Sequence, residues 1–318
     1  MSAPEVSAFA PGSVGNVGPG LDILGLALAG DGDVVTAGWS DTRGIRILEP
    51  GHSELPREAR RHTAGLAAHA VVDKVGDQRC RGRGIALRVT KGLPLSGGQG
   101  GSAASAVAGA VAVNALLGNP LDRLALVDAC LEAEESVSGR HADNIAPSLL
   151  GGIVLIRSLT PLDLVRLPVP PELVVVVARP DQRLRTADAR SVLPQEIPRE
   201  MALYQAAQVA ALVAALSTGD YELLGRAIDD RIAEPVRTAL LPGFREAKEA
   251  ALTAGALGCS ISGSGPSVFA LVRGEVAGQR VSQAMAGAYA RCGHRCQVRV
   301  TRVDQEGARV ISHGDERA

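Results

Sequence analysis

The period of hydrophobic and polar positions changes repeatedly along the chain, and each change predicts a switch between strand and helix. Alternation over residues 5–10, 34–37, 44–48 and 84–89 reads as strand, and Pro11-Gly12 is expected to end the first of these. Residues 59–75 carry a helical pattern. Residues 102–117 are apolar on all faces, stop at Gly118 and precede Pro120, which predicts a buried helix. A further helix is predicted over 121–136, then a polar turn over 138–144 that packing does not explain, then an apolar stretch over 149–156. Pro161, Pro168, Pro170 and Pro171 cluster ahead of a strand at 173–178. They set the expected junction near residue 165, with domains of residues 1–165 and 166–318. Helical patterns follow over 200–216, 221–232 and 243–254. A glycine loop over 258–267 then leads to a strand at 268–272, a helix at 276–291 and a strand at 297–303.

Composition changes this picture in a few respects. The 318 residues are 46% hydrophobic, enough to build two domains with sizeable cores. A net charge of −1 leaves no surplus for holding nucleic acid or an anionic membrane surface, so a small-molecule partner is expected. Met1-Ser-Ala-Pro-Glu-Val lacks the features of a secretory signal, and the strongest apolar run, 173–178, is too short to cross a bilayer. A cytoplasmic location is therefore expected. Cys80, Cys130, Cys259, Cys292 and Cys296 are scattered, odd in number and expected to stay reduced. No second pair with zinc-like spacing accompanies Cys292 and Cys296. Lysine is rare, with only Lys74, Lys91 and Lys248 available as catalytic candidates.

Candidate chemistry begins at Ser96-Gly-Gly-Gln-Gly-Gly-Ser-Ala-Ala-Ser105, a glycine loop running into the start of the buried helix. Glycines leave successive backbone N–H groups unobstructed, and a helix N-terminus adds unpaired N–H groups and the positive end of its dipole. That combination suits a phosphate. The loop is not a Walker A motif, because Ser102 and Ala103 follow Gly101 where Lys-Ser or Lys-Thr would be needed.

Two more loops share this character. Pro11-Gly-Ser-Val-Gly-Asn-Val-Gly-Pro-Gly-Leu-Asp22, Pro94-Leu-Ser-Gly-Gly-Gln-Gly-Gly-Ser-Ala-Ala104 and Gly258-Cys-Ser-Ile-Ser-Gly-Ser-Gly-Pro-Ser267 resemble, in order, the three signature motifs of the GHMP small-molecule kinases. Gly139-Arg-His-Ala-Asp-Asn-Ile-Ala-Pro147 and Glu234-Pro-Val-Arg-Thr-Ala-Leu-Leu-Pro-Gly243 are similar to the homoserine kinase branch of that superfamily, and the resemblance runs from Val6 to Val310. It implies an α+β fold of two domains. The N-terminal GHMP kinase domain, with the nucleotide loop, would be like the second domain of ribosomal protein S5, and the C-terminal one ferredoxin-like. It also implies transfer of phosphate from ATP, with Mg²⁺, to the side-chain hydroxyl of L-homoserine on the route to threonine. Family members are commonly homodimers.

The resemblance assigns residues as well. Pro94, Leu95, Ser96, Gly97, Gly98, Gln99, Gly100, Gly101, Ser102, Ala103 and Ala104 would hold the nucleotide, with Ser102 and Glu134 on the metal. Asn16, Asp22, His141, Asn144, Arg190 and Arg237 would bind the acceptor, the two arginines on its carboxylate and Asp22 on its ammonium group. Asn144 is the expected positioning residue in catalysis, with Asp143 the alternative as general base. The chain departs from the family pattern Gly-Leu-Gly-Ser-Ser-Ala-Ala at Gln99 and Gly101, and Leu21 replaces a Phe. Loss of an apolar anchor and a hydroxyl predicts nucleotide binding weakened by about 1 kcal/mol for each change. Restoring Leu and Ser would then tighten it by something on the order of tenfold. The residues leave two other readings open, a kinase for another small amino alcohol and a non-catalytic protein that binds an amino acid or nucleotide.

Overall fold

The computed structural model describes residues 5–135 and 139–311; Ser138 of the polar turn and the expected helix end at Ser136 lie outside the described residues. Up to the expected junction the elements are β1 (Glu5–Gly15), β2 (Leu24–Ser40), β3 (Ile45–Glu49), α1 (Thr63–Val75), β4 (Gly84–Thr90), α2 (Gly101–Leu116), α3 (Arg123–Glu135), α4 (Ile145–Leu150), β5 (Ile153–Leu159) and β6 (Leu162–Leu167). After it come β7 (Leu173–Pro180), α5 (Thr186–Ser191), α6 (Arg199–Thr218), α7 (Tyr221–Ala227), α8 (Ala233–Arg237), α9 (Phe244–Thr253), β8 (Gly258–Ile261), β9 (Val268–Arg273), α10 (Glu275–Arg291), β10 (Cys296–Thr301) and β11 (Arg309–Ile311).

The first sheet runs β11-β1-β2-β4-β3, with β5 bonded to β2 and β6 to β5. Pro11-Gly12 does not end β1. The pairing with β2 shifts register between Pro11 and Ser13 and then resumes to Gly15, because a bulge absorbs the proline that lacks a donor. The strand therefore delivers the first motif directly into the site. β2 is far longer than its predicted core at 34–37, since Gly30, Asp31 and Gly32 interrupt the apolar alternation without stopping the strand. The first sheet also takes strands from both sides of residue 165: β6 continues to Leu167, and β11 returns to pair with β1.

The second sheet runs β10-β7-β9-β8 and is antiparallel throughout. This is the ferredoxin-like order that the resemblance implies. Val175, Val177, Phe269 and Leu271 face a core shared with Leu24, Leu26 and Leu28 of β2, whereas Val174, Val176, Val268 and Ala270 face α9 and α10. A strand buried on both faces needs no polar alternation, which explains the unbroken apolar run in β7. The shared core packs the two halves together and fixes the cleft above it.

Three local outcomes bear on the site. The strand β8 is hidden inside the third motif, where glycine and serine mask its pattern. The predicted helix over 221–232 ends early, at Ala227, and the separate helix α8 starts beyond it, where the Asp230 carboxylate accepts from the N–H groups of Ile232, Ala233 and Glu234. Finally, α6 is long and apolar enough to cross a membrane by length and composition alone. Here it lies along the second half, burying Gln205, Leu212, Ala215 and Leu216.

Candidate active site

A cavity of about 580 Å³ opens between the two halves, and all three motifs and the polar turn reach it. Residues 94–98 and 100–103 line it, while Gln99 turns away and Ala104 is buried behind them. The loop is held by its carbonyls. Ser267 Oγ donates to Gly97 O at 2.5 Å, Ser262 Oγ to Gly98 O at 2.6 Å, and Ser13 N to Gln99 O at 3.1 Å. A trans peptide sets its N–H opposite its C=O, so clamping these three carbonyls turns the N–H groups of Gly98, Gln99 and Gly100 the other way. Gly100 then starts α2 with φ 66°, and a Cβ there would come within 2.9 Å of Asn144 Oδ1. The result is a row of donors at a helix N-terminus, the geometry of an anion site.

At the edge of that row, Ser102 Oγ donates to Glu134 Oε1 at 2.9 Å. α3 carries Glu134 to this point, where the side chain is buried yet borders the cavity. Among the described residues no group of three or more His, Cys, Asp or Glu could hold a metal. A hydroxyl and one carboxylate beside a phosphate site nonetheless fit Mg²⁺, which takes few protein ligands and completes its shell with phosphates and water.

Of the residues expected to bind the acceptor, Asn16, Asp22, His141 and Arg190 come together. Asn16, at φ 65°, receives Asp22 N on its Oδ1 at 2.9 Å and donates Nδ2 to Gly263 O at 2.8 Å, tying the first motif to the third. Arg190 donates Nη2 and Nη1 to the two oxygens of Asp22 at 2.8 and 3.3 Å, and His141 Nδ1 lies 3.3 Å from Asp22. Burial pushes the Asp22 carboxyl upward, but the Arg190 hydrogen bond and the nearby positive charges outweigh it and hold the group below the usual carboxylate range. Burial holds the His141 imidazole below its usual range, against the pull of Asp22. Arg190 Nε is buried with no hydrogen-bond partner among the described residues, a donor suited to a ligand carboxylate. Arg237 is placed differently. It is buried, with Nε on Ala189 O at 3.1 Å and Nη1 on Gly263 O at 3.0 Å, so much of its fork braces α5 under Arg190.

Asp143 and Asn144 lie side by side between the two regions. Asp143 Oδ2 accepts from Asn16 N at 3.1 Å on the acceptor side, and Asn144 Oδ1 accepts from Ser13 Oγ at 3.0 Å against the phosphate loop. Gly15 makes this possible, because a Cβ there would meet Asn144 Nδ2 at 2.6 Å. Burial, reinforced by the charge of Asp22, pushes the Asp143 carboxyl up to about 7.

Sequence reasoning missed the support beneath the loop. Lys91 Nζ donates to Asp33 Oδ2, to Gly101 O at 2.9 Å and to Ser105 Oγ at 3.0 Å. Asp33, fully buried, also accepts from Ser105 Oγ at 2.6 Å and from Gly92 N and Leu93 N at 3.1 Å. The only signal was the scarcity of lysine. Arg61, His62 and Thr63, at the start of α1, line the far end of the cavity, and no local pattern marks them. The expected loss of an anchor at Gln99 also needs correction: its buried amide meets Ser267 Oγ at 3.3 Å and Arg299 Nη2 at 3.4 Å, so a polar anchor stands where an apolar one was expected.

Comparison with known proteins adds a family. Residues 62–152 match the model of the GHMP kinases N terminal domain, and residues 212–291 match that of the GHMP kinases C terminal. The chain is similar to a homoserine kinase of Chlorobium phaeovibrioides, at 42% identity over 96% of this chain and 99% of that one. It is 44% identical to a homoserine kinase of Arabidopsis thaliana over 97% of this chain and 85% of the relative. A crystal structure of homoserine kinase from Cytophaga hutchinsonii superposes with a TM-score of 0.92 at 42% identity, covering 96% of this chain and 97% of the other. The mevalonate kinase of L. major in complex with R-mevalonate, at 16% identity and a TM-score of 0.69, shares the fold alone over 93% of this chain and 95% of its own.

Proposed function

This chain belongs to the homoserine kinases of the GHMP kinase family, and from that premise we propose how its residues divide the reaction. The enzyme phosphorylates the side-chain hydroxyl of L-homoserine with ATP as donor. One adjacency supports the division of labour: Asn144 abuts Gly100 of the phosphate loop, and Asp143 beside it borders Asn16 of the acceptor cluster. A hydroxyl held between the two regions meets the γ-phosphoryl group there.

The N–H row of Gly98, Gln99 and Gly100 binds the phosphates of ATP and orients them. Ser102 and Glu134 would hold Mg²⁺, which when bound neutralises charge on those phosphates. Asp22 receives the homoserine ammonium group, and Arg190, with its buried Nε, receives the carboxylate while Arg237 braces it. Asn144, its Oδ1 held by Ser13, positions the hydroxyl. The hydroxyl oxygen forms a bond to the γ-phosphorus as the bond from that phosphorus to the β–γ bridging oxygen breaks. ADP leaves with the electron pair, and the hydroxyl proton passes to Asp143. A loose transition state asks mainly for this alignment and charge neutralisation.

The reading carries a cytoplasmic site of action and a homodimer. A coupled ADP-release assay tests the substrate assignment across L-homoserine, L-threonine, L-serine and related amino alcohols, with and without Mg²⁺. Homoserine is expected to be turned over far better than the others, and only with Mg²⁺. Equal turnover of another alcohol would reassign the substrate, whereas ADP release with none of them would mark a binding protein.

A further inference from the structure

Gln99 occupies the position at which the family pattern has leucine, and its surroundings explain why leucine does not suit this chain. Both ends of the amide are engaged within a buried space: Nε2 faces Ser267 Oγ at 3.3 Å and Oε1 faces Arg299 Nη2 at 3.4 Å. Arg299 stands on β10, the edge strand of the second sheet. Its Nη1 reaches Ala29 O at 3.2 Å and Asp31 at 3.0 Å on β2, while its Nε is buried with no hydrogen-bond partner among the described residues. The guanidinium thus joins β10, β2 and the phosphate loop.

A leucine at 99 would take away the partner of Nη2 while leaving the cation in place. The guanidinium is half-buried and keeps Asp31, but the loop loses its side-chain tie to it, and an unmet donor in a partly desolvated site costs more than the bond itself contributes. The same substitution would leave Ser267 bonded to Gly97 O but no longer to the side chain of the next residue but one. We infer that Gln99 is a positioning residue: it fastens the nucleotide loop to Arg299 and Ser267, so that ATP affinity depends on an arginine of the second half that does not line the cavity. This rests on the reading of the loop as the ATP phosphate site. It reverses the expectation that restoring leucine strengthens nucleotide binding.

The test compares Gln99→Leu, Gln99→Glu, Arg299→Met and the double variant Gln99→Leu with Arg299→Met. Calorimetry with a non-hydrolysable ATP analogue is paired with steady-state kinetics, and thermal melting checks each fold. Gln99→Leu and Arg299→Met are each expected to raise KM for ATP about tenfold with KM for homoserine within about twofold, and the double variant to be no worse than either single one, as coupled residues behave. Gln99→Glu, which keeps an acceptor for Arg299 but loses the amide donor to Ser267, should fall between wild type and Gln99→Leu. If Gln99→Leu fails to fold, Arg299→Met read against Gln99→Glu carries the same comparison. An ATP affinity unchanged or improved in Gln99→Leu, or in Arg299→Met where only that variant folds, overturns the inference while leaving the loop as the nucleotide site. Additive losses in the double variant overturn it too. Absence of analogue binding to the wild-type protein would instead sink the phosphate-loop reading, and the inference with it.

Discussion

Arg190 and Asp22, separated by 168 positions in the chain, meet as a two-bond pair of 2.8 and 3.3 Å at the edge of the acceptor cluster. The residues proposed for opposite ends of one amino acid are thus joined directly, and on that proposal homoserine exchanges this pairing for its own ammonium and carboxylate contacts. Asp22→Asn removes the negative member and weakens the hold on Arg190. It is expected to raise KM for homoserine about 100-fold, as loss of a charge-assisted bond of about 2.7 kcal/mol would. KM for ATP should stay within about threefold, and substrate-saturation kinetics in each ligand check the split. Comparable losses in both constants would place Asp22 in the support of the whole cleft instead.

Asp143 should leave a signature in the pH dependence. Its carboxyl is pushed up to about 7, and the proposed proton acceptor must be ionised, so kcat/KM for homoserine should rise as pH rises through about 7. Asp143→Asn should abolish that limb. The sign for stability is opposite. The folded protein holds this proton more tightly than the unfolded chain, with its value near 3.8, so folding stability should decline between roughly pH 4 and 7, and the Asn variant should lose that decline. Denaturant titrations at several pH values read this directly. A limb that persists in the Asn variant belongs to another group.

Glu134→Gln keeps an acceptor for the Ser102 hydroxyl and the shape of a buried side chain, while removing the negative charge beside the phosphate loop. The fold should survive, with kcat lowered about 100-fold and the Mg²⁺ requirement raised. Activity measured across a Mg²⁺ titration checks it. A variant matching wild type at every Mg²⁺ concentration would remove Glu134 from the metal.

Lys91 and Asp33 form the ion pair beneath the loop, and both are almost wholly shielded from solvent. Lys91→Met leaves the Asp33 carboxylate buried without its cation, a change of the kind that costs about 3–5 kcal/mol. Adding Asp33→Asn should recover a large share of that loss, because neither remaining side chain then carries an unpaired charge. Urea unfolding of the two variants tests the coupling. Equal stability of the single and double variants would show that the pair does not act as a unit.

The sequence by itself determined which residues are candidates for the chemistry and the approximate places of the strongly periodic elements. Glycine-rich loops, the polar turn and the isolated arginine segments are local features, written in consecutive residues, and they stand at the cavity in the structure. So are the apolar run of β7 and the all-apolar α2, whose patterns directly reflect burial on both faces and on most sides. Tertiary structure alone decided what those residues touch. Gln99 and Arg299 lie 200 positions apart, Lys91 and Asp33 lie 58 apart, and no local periodicity records such pairings. The strand β8 was hidden by glycine and serine because its membership comes from hydrogen bonds to β9, and β11 joins the first sheet only because the chain returns there. Local sequence sets propensity and the identity of side chains. Whether a glutamine in a phosphate loop is a lost anchor or a fastened one depends on which distant charge the folded chain brings within reach of it.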